Sequence, residues 1–157
     1  MKILKSILLV FIFIFLVSCD DNTGSNIGQN APIINTKDTN GKKVSLEKKG
    51  IEIVLFWENG CAGCIGAMPS IDEYIGGKNI KVYAINSINK FEVIKDFEAS
   101  KNFSNMMILE DMLNISWNNY HVKFVPSMFI IKDGVVVEKI LGDRTWSYIK
   151  PKLSKYF

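Results

Sequence analysis

Residues 51–69 read Ile-Glu-Ile-Val-Leu-Phe-Trp-Glu-Asn-Gly-Cys-Ala-Gly-Cys-Ile-Gly-Ala-Met-Pro, and the fold is decided there. Residues 51–57 form a β-branched and aromatic run of buried-strand length. Glu58, Asn59 and Gly60 make a short loop. Beyond it Cys64, Ile65, Met68, Ile71 and Ile75 fall at helical spacing, and Gly76-Gly77 stops the helix. A strand, a short loop and a helix therefore set Cys61 at a helix N-terminus. Unpaired backbone N–H groups and the helix dipole favour an anion at such a place.

That placement suits thiol exchange, because the thiolate is the attacking species. The dipole stabilises the charge by about 0.3–1 kcal/mol, less than the about 1.36 kcal/mol of one pKa unit. Stronger activation needs hydrogen bonds to the sulfur. Two intervening residues bring Cys64 round the first turn to face Cys61, as a reversible disulfide requires. Cys61 then attacks a substrate disulfide and Cys64 resolves the mixed intermediate. Ala62 and Gly63 tune the poise without revealing it. Dithiols of this kind span roughly −270 to −120 mV, so the direction of electron flow stays open on chemistry alone. Two bland alternatives stand beside this reading. A tetrahedral zinc site wants four ligands, whereas the chain offers two thiols and the distant His121. A purely structural bridge across so small a loop stabilises little.

Working outward, residues 80–85 read as a strand, 91–97 as an amphipathic helix and 106–109 as a short strand before a helical stretch over 112–120. Residues 125–131 and 135–140 are antiparallel mates about the tight turn Asp133-Gly134. Residues 146–156 look helical, with Pro151 tolerable in the first turn of a helix starting near Ser147. Upstream, Asn40-Gly41 is a hairpin signal ahead of the alternating Val44 and Leu46. Strands alternating with helices and closing in a hairpin predict an α/β domain, its central mixed sheet flanked by helices.

At 157 residues, 48% hydrophobic and 22% charged, the chain has room for one domain with a proper core. The net charge of +3 includes Lys2 and Lys5, and the other lysines are scattered, so no nucleic-acid partner is expected. Residues 1–6 carry those two lysines and residues 7–17 are wholly apolar, which describes an export signal. The apolar run is shorter than the about 20 residues that span a bilayer. Its ending, Leu16-Val17-Ser18-Cys19, resembles the lipobox of bacterial lipoproteins, with Cys19 as the lipidated residue. This accounts for the odd cysteine; an uncleaved anchor or a plain secretory signal is the alternative. Residues 20–30, polar and rich in Asn and Gly, are too poor in apolar side chains to fold. The expected plan is a signal peptide over 1–18, a flexible tether over 19–30 and a folded domain over 31–157. Acyl chains on Cys19 anchor such a protein by about 0.8 kcal/mol per buried CH₂. In a host with two membranes, Asp20 directly after the lipidated cysteine resembles an inner-membrane retention signal.

Phe56-Trp57-Glu58-Asn59-Gly60-Cys61-Ala62-Gly63-Cys64, with Met68-Pro69 and Val125-Pro126-Ser127, resembles the thioredoxin family. More narrowly, the chain is similar to the TlpA/ResA group of membrane-anchored thiol–disulfide oxidoreductases. Ala31-Pro32, the stretch DTNGKKVSL over 38–46 and Ile130-Ile131-Lys132-Asp133-Gly134-Val135-Val136 extend the likeness. The resemblance implies a thioredoxin-like fold with an N-terminal β-hairpin and a mid-fold insertion. It makes Pro126 a cis-proline facing the active site, an isomer that costs an X-Pro bond only about 0.5–1 kcal/mol. Val125 lends its backbone to a substrate strand, Pro69 kinks the helix, and Trp57 and Glu58 shape the site.

The implied partners are a protein disulfide substrate of the apocytochrome c kind and a membrane thiol–disulfide carrier as electron donor. The implied protein is a monomer, without cofactor or metal, held by lipid on the outer side of the cell (inner) membrane. Three positions depart from the pattern. Gly60 replaces a bulky tryptophan, Leu55 stands where thioredoxin buries a carboxylate, and Ala67 stands where the narrower group has a glutamate. The usual proton acceptor for Cys64 is thus missing, and Glu58 is the nearest charged candidate. Competing functions are Cu(I) delivery through Cys61, Cys64 and Met68, and a thiol oxidase or peroxidase-like redoxin. The chain lacks a peroxidatic cysteine after a Pro-x-x-x-Thr-x-x pattern.

Overall fold

In the computed structural model, which describes residues 26–157, the apolar run after Gly50 becomes an inner strand of a seven-stranded mixed sheet. The strands are β1 (Thr36–Asp38), β2 (Lys43–Val44), β3 (Ile51–Phe56), β4 (Ile80–Asn86), β5 (Met106–Asp111), β6 (Ser127–Lys132) and β7 (Val135–Leu141). Their order is β2-β1-β5-β4-β3-β6-β7. β3, β4 and β5 are parallel, whereas β6 runs antiparallel to β3 and β7 to β6. The helices are α1 (Ala62–Ile75), α2 (Phe91–Ser100), α3 (Ile115–Asn119) and α4 (Trp146–Ser154).

The period-two alternation of β3 divides the core. Ile53, Leu55 and Trp57 point into one cluster, with Cys64, Met68, Ile71 and Ile75 of α1, Ile94 and Phe97 of α2, and Ile149 and Leu153 of α4. Val54 and Phe56 point into the other, with Tyr83, Tyr120 and Phe129. β3 is buried on both faces because helices cover one side while α3 and the N-terminal segment cover the other. The strand-to-helix crossing at Trp57 therefore lies in the most enclosed part of the fold, and the dithiol sits directly above it.

Three local features differ from the sequence reading. Residues 26–30, assigned by composition to the tether, pair with β7. Gly28 N–H donates to Val136 C=O (2.8 Å), Val136 N–H to Gln29 C=O (2.9 Å) and Ala31 N–H to Gly134 C=O (2.8 Å). Backbone pairing with a sheet edge needs no apolar side chains, so composition does not reveal it. Second, α4 starts at Trp146, which places Pro151 beyond the first turn. The ring removes one helical hydrogen bond, and buried Ile149 and Leu153 hold the helix across it.

Third, the expected helix over 112–120 is broken. Leu113 and Asn114 take left-handed φ values of 58° and 55°, and α3 begins after them. The cause is Asp111, whose buried carboxylate accepts the Ser116 N–H (2.9 Å), the Trp117 N–H (2.8 Å) and the Ser87 hydroxyl (2.7 Å). To cap α3 from five residues upstream the chain must fold back through the left-handed region. Asp111→Ala is expected to cost about 2–3 kcal/mol in urea unfolding, from the lost cap and an orphaned hydroxyl.

Residues 1–18, the start of the tether and Cys19 lie outside the described residues. Among the described residues no helix is long and apolar enough to cross a membrane.

Candidate active site

Cys61 caps α1 with an extended backbone (φ −93°, ψ 102°). Its Sγ accepts the Cys64 N–H at 3.1 Å, and its carbonyl accepts the Ile65 N–H at 3.1 Å. The sulfur thus takes the place of a capping oxygen, and one backbone donor already points at it. Cys61 and Cys64 are bonded to each other, with Sγ–Sγ 2.17 Å and Cα–Cα 5.2 Å. Cys61 is half-buried at the surface and Cys64 is 0% exposed. The pair is asymmetric: an outside disulfide or thiolate can reach only the first sulfur.

The loop before Cys61 is pinned from the neighbouring strand. Trp57 N–H donates to Ile85 C=O (3.1 Å), extending the β3–β4 ladder by one residue. Asn59 N–H donates to Asn89 Oδ1 (2.8 Å), and Asn89 Oδ1 also accepts from Asn86 Nδ2 (2.9 Å). Asn86 and Asn89 escape sequence reading, since nothing near them signals the distant loop they hold. Trp57 is 0% exposed, its ring 4.3 Å from that of Phe97, so it offers no surface to a partner. Glu58 is half-buried, and its carbonyl accepts the Cys61 N–H (3.2 Å). Gly60 is exposed, with nothing near the position of an added Cβ, which leaves the face before Cys61 open.

The Val125–Pro126 peptide bond is cis. Val125 is half-buried and packs against both core clusters. Gly142 N–H donates to Pro126 C=O (2.9 Å), and Ser127 Oγ donates to Phe124 C=O (2.7 Å), fixing this turn beside β7. Pro126 and Cys64 line one cavity of about 10 Å³, together with Leu55, Gly63, Ala67 and Arg144. Leu55 and Ala67, two of the three departures noted in the sequence, both line it. On the side of Leu55 and Ala67 the buried sulfur therefore meets carbon. His121 is exposed in a loop with φ 48°. Met68, the third soft ligand that copper delivery would need, is buried in the core on α1.

A side chain absent from the sequence reading also reaches this region. The Asp143 carboxylate, in the turn after β7, occupies the space where residue 63 would carry a Cβ: an ideal Cβ on Gly63 would lie 2.5 Å from Asp143 Cγ and 2.6 Å from Oδ1. Glycine between the two cysteines is what admits it.

The sequence model of the AhpC/TSA family matches residues 27–140. The chain belongs to the AhpC/TSA family. A relative of this AhpC/TSA-family protein is the thiol–disulfide oxidoreductase ResA of Bacillus cereus. The two are 30% identical over 141 residues, spanning 86% of this chain and 81% of ResA. A solved structure similar to it is the pneumococcal exposed lipoprotein thioredoxin Etrx1 of Streptococcus pneumoniae. The TM-score is 0.66 at 21% identity, over 78% of this chain and 98% of that one. Another is a peroxiredoxin-like protein from Aquifex aeolicus, with TM-score 0.72 at 16% identity, over 84% and 88% of the two chains. The structural likenesses carry the fold, which is thioredoxin-like. The kinship with ResA and the bonded Cys61–Cys64 pair carry the activity: this AhpC/TSA-family protein is a thiol–disulfide oxidoreductase.

Proposed function

We propose that this protein works outside the cytoplasm as a reductant of protein disulfides, tethered to the cell membrane through a lipid on Cys19. The observation that carries the reading is the asymmetry of the pair: Cys61 reachable at the mouth of α1, Cys64 sealed behind it. In the reduced protein the Cys61 thiolate attacks one sulfur of a substrate disulfide. A Cys61–substrate bond forms, the substrate S–S bond breaks, and the departing thiolate takes up a proton. Cys64 gives up its proton and attacks Cys61 Sγ. The internal disulfide closes and the second substrate thiol leaves. Two electrons have moved from the dithiol to the substrate. A membrane thiol–disulfide carrier then resets the pair by the same exchange in reverse.

The cis Val125–Pro126 segment lies beside the pair and offers backbone for a substrate strand, with Phe124, 50% exposed, next to it. Trp57 and the Glu58 loop hold Cys61 in place. The substrate class we favour is apocytochrome c, whose two thiols must be reduced before haem attachment, and the protein acts as a monomer. The plan of signal peptide 1–18, lipidated Cys19 and catalytic domain supports placement at the inner membrane.

Cys64→Ser leaves the attacking thiol and removes the resolving one. Expressed in the native host, it is expected to accumulate mixed disulfides through Cys61, seen as adducts that collapse on adding dithiol. Their absence, together with failure of the purified wild-type protein to reduce a model protein disulfide, would end this reading.

A further inference from the structure

The mouth of α1 offers one favourable electrostatic position, and two anions compete for it. One is the thiolate that Cys61 forms on reduction; in the disulfide its Sγ accepts the Cys64 N–H at 3.1 Å. The other is the Asp143 carboxylate, set against Gly63 between the two cysteines. The segments that flank the pair carry Glu58, Lys90, His121, Lys123, Asp143 and Arg144 as their charged or titratable groups, and the first turn of α1 adds none besides Cys64 itself. Asp143 and Arg144 come from the same turn after β7. Arg144 lines the cavity beside Cys64, yet its Nε donates to Leu141 C=O (3.1 Å) and its guanidinium lies 5.3 Å from the Tyr148 ring centroid. The cation is thus held toward β7 and α4, while the carboxylate is laid on the dithiol segment.

We propose that Asp143 sets the poise of the dithiol: its carboxylate, admitted by Gly63, opposes the Cys61 thiolate and biases the pair toward giving up electrons. A negative charge near a thiol disfavours its ionised form, and a reduced pair with a less stable thiolate is the stronger reductant. Asp143 acts through Cys61, as a positioning charge that does not itself react. The inference rests on the dithiol activity and deepens the reductant reading.

The test uses the full chain and its Asp143→Asn, Asp143→Glu, Gly63→Ala and Gly63→Ala/Asp143→Asn variants. Cys61 acidity is read from the pH dependence of iodoacetamide alkylation of prereduced protein, with the modified residue located by mass spectrometry. Poise is read from equilibrium with glutathione. Asp143→Asn is expected to raise the acid constant of Cys61 about threefold to tenfold and to shift the equilibrium toward the dithiol by a like factor. Asp143→Glu stays within about twofold of wild type because the charge is kept. The difference between Asp143→Asn and wild type shrinks in about 1 M salt, since an exposed charge is screened there. Gly63→Ala, which displaces the carboxylate, shifts both readouts the same way and loses most of its effect in the Asp143→Asn background. An unchanged acid constant in Asp143→Asn overturns the proposal, as does a shift of equal size at low and high salt. If wild type proves oxidising while Asp143→Asn still moves as stated, the reductant reading fails and the role of Asp143 stands.

Discussion

Cys61→Ser is expected to lower disulfide-exchange turnover by about a thousandfold or more, because the one sulfur of the pair that a partner can reach is gone. A hydroxyl in the same position is not ionised near neutral pH and does not replace it. The remaining thiol of the pair, Cys64, is 0% exposed, capped over by the turn that carries Cys61, and faces the apolar side chains of Leu55 and Ala67. Sealed in this way, it does not reach a substrate disulfide. The control is stability. Opening so small a loop removes about 2 kcal/mol on loop-closure arguments, so the variant should unfold like reduced wild type, not like the oxidised protein. Turnover of an insulin-type disulfide by folded Cys61→Ser within about tenfold of wild type would show that the asymmetry of the pair has been misjudged.

The second large effect concerns the fold. Glu52→Ala is expected to destabilise the protein by about 3 kcal/mol and to lower the thermal midpoint by about 10 °C. Glu52 is 0% exposed in the middle of the sheet, and its carboxylate accepts the Glu47 N–H (2.7 Å), the Lys48 N–H (2.9 Å) and the Tyr83 hydroxyl (2.8 Å). Burial, and then the hydrogen bond to Glu52, pushes the Tyr83 phenol well above its ordinary range, so this hydroxyl remains a donor. Truncation strands that donor on strand β4 and frees the loop ahead of β3, whereas water can reach the two backbone groups. The larger part of the loss therefore comes from Tyr83, and Glu52→Ala should cost much less in a Tyr83→Phe background. Glu52 lies at the opposite end of β3 from the dithiol, so exchange activity per folded molecule should be unchanged. A loss below about 1 kcal/mol would mean that water enters and satisfies the site.

These two residues show where sequence reading succeeds and where it stops. The pair Cys61 and Cys64 is legible because everything that makes it reactive is local: a buried strand, a three-residue loop and the first turn of a helix. The β6–β7 hairpin is legible for the same reason, since Asp133 and Gly134 both take the positive φ that the turn demands. The inward placement of Trp57 follows from its alternation with Ile53 and Leu55. Glu52 sits within the same run, but its meaning depends on Tyr83 in another strand, and a lone charge in an apolar stretch does not name its partner. Asp111 breaks a helical pattern by a hydrogen bond whose geometry only the folded chain provides. Asp143 is the most distant case: it meets Gly63 because β7 ends beside α1, a fact of topology that leaves no mark around either residue. The flexible reading of residues 26–30 fails because a polar segment can still pair its backbone with a sheet edge.

The most direct test of the account is the redox equilibrium of the Cys61–Cys64 pair, followed by thiol trapping across a series of glutathione buffers. A reversible two-electron transition is expected, about 30 mV per decade, with a midpoint near −270 mV or below. A bond that stays closed in excess dithiol, or a midpoint near about −120 mV, would contradict it.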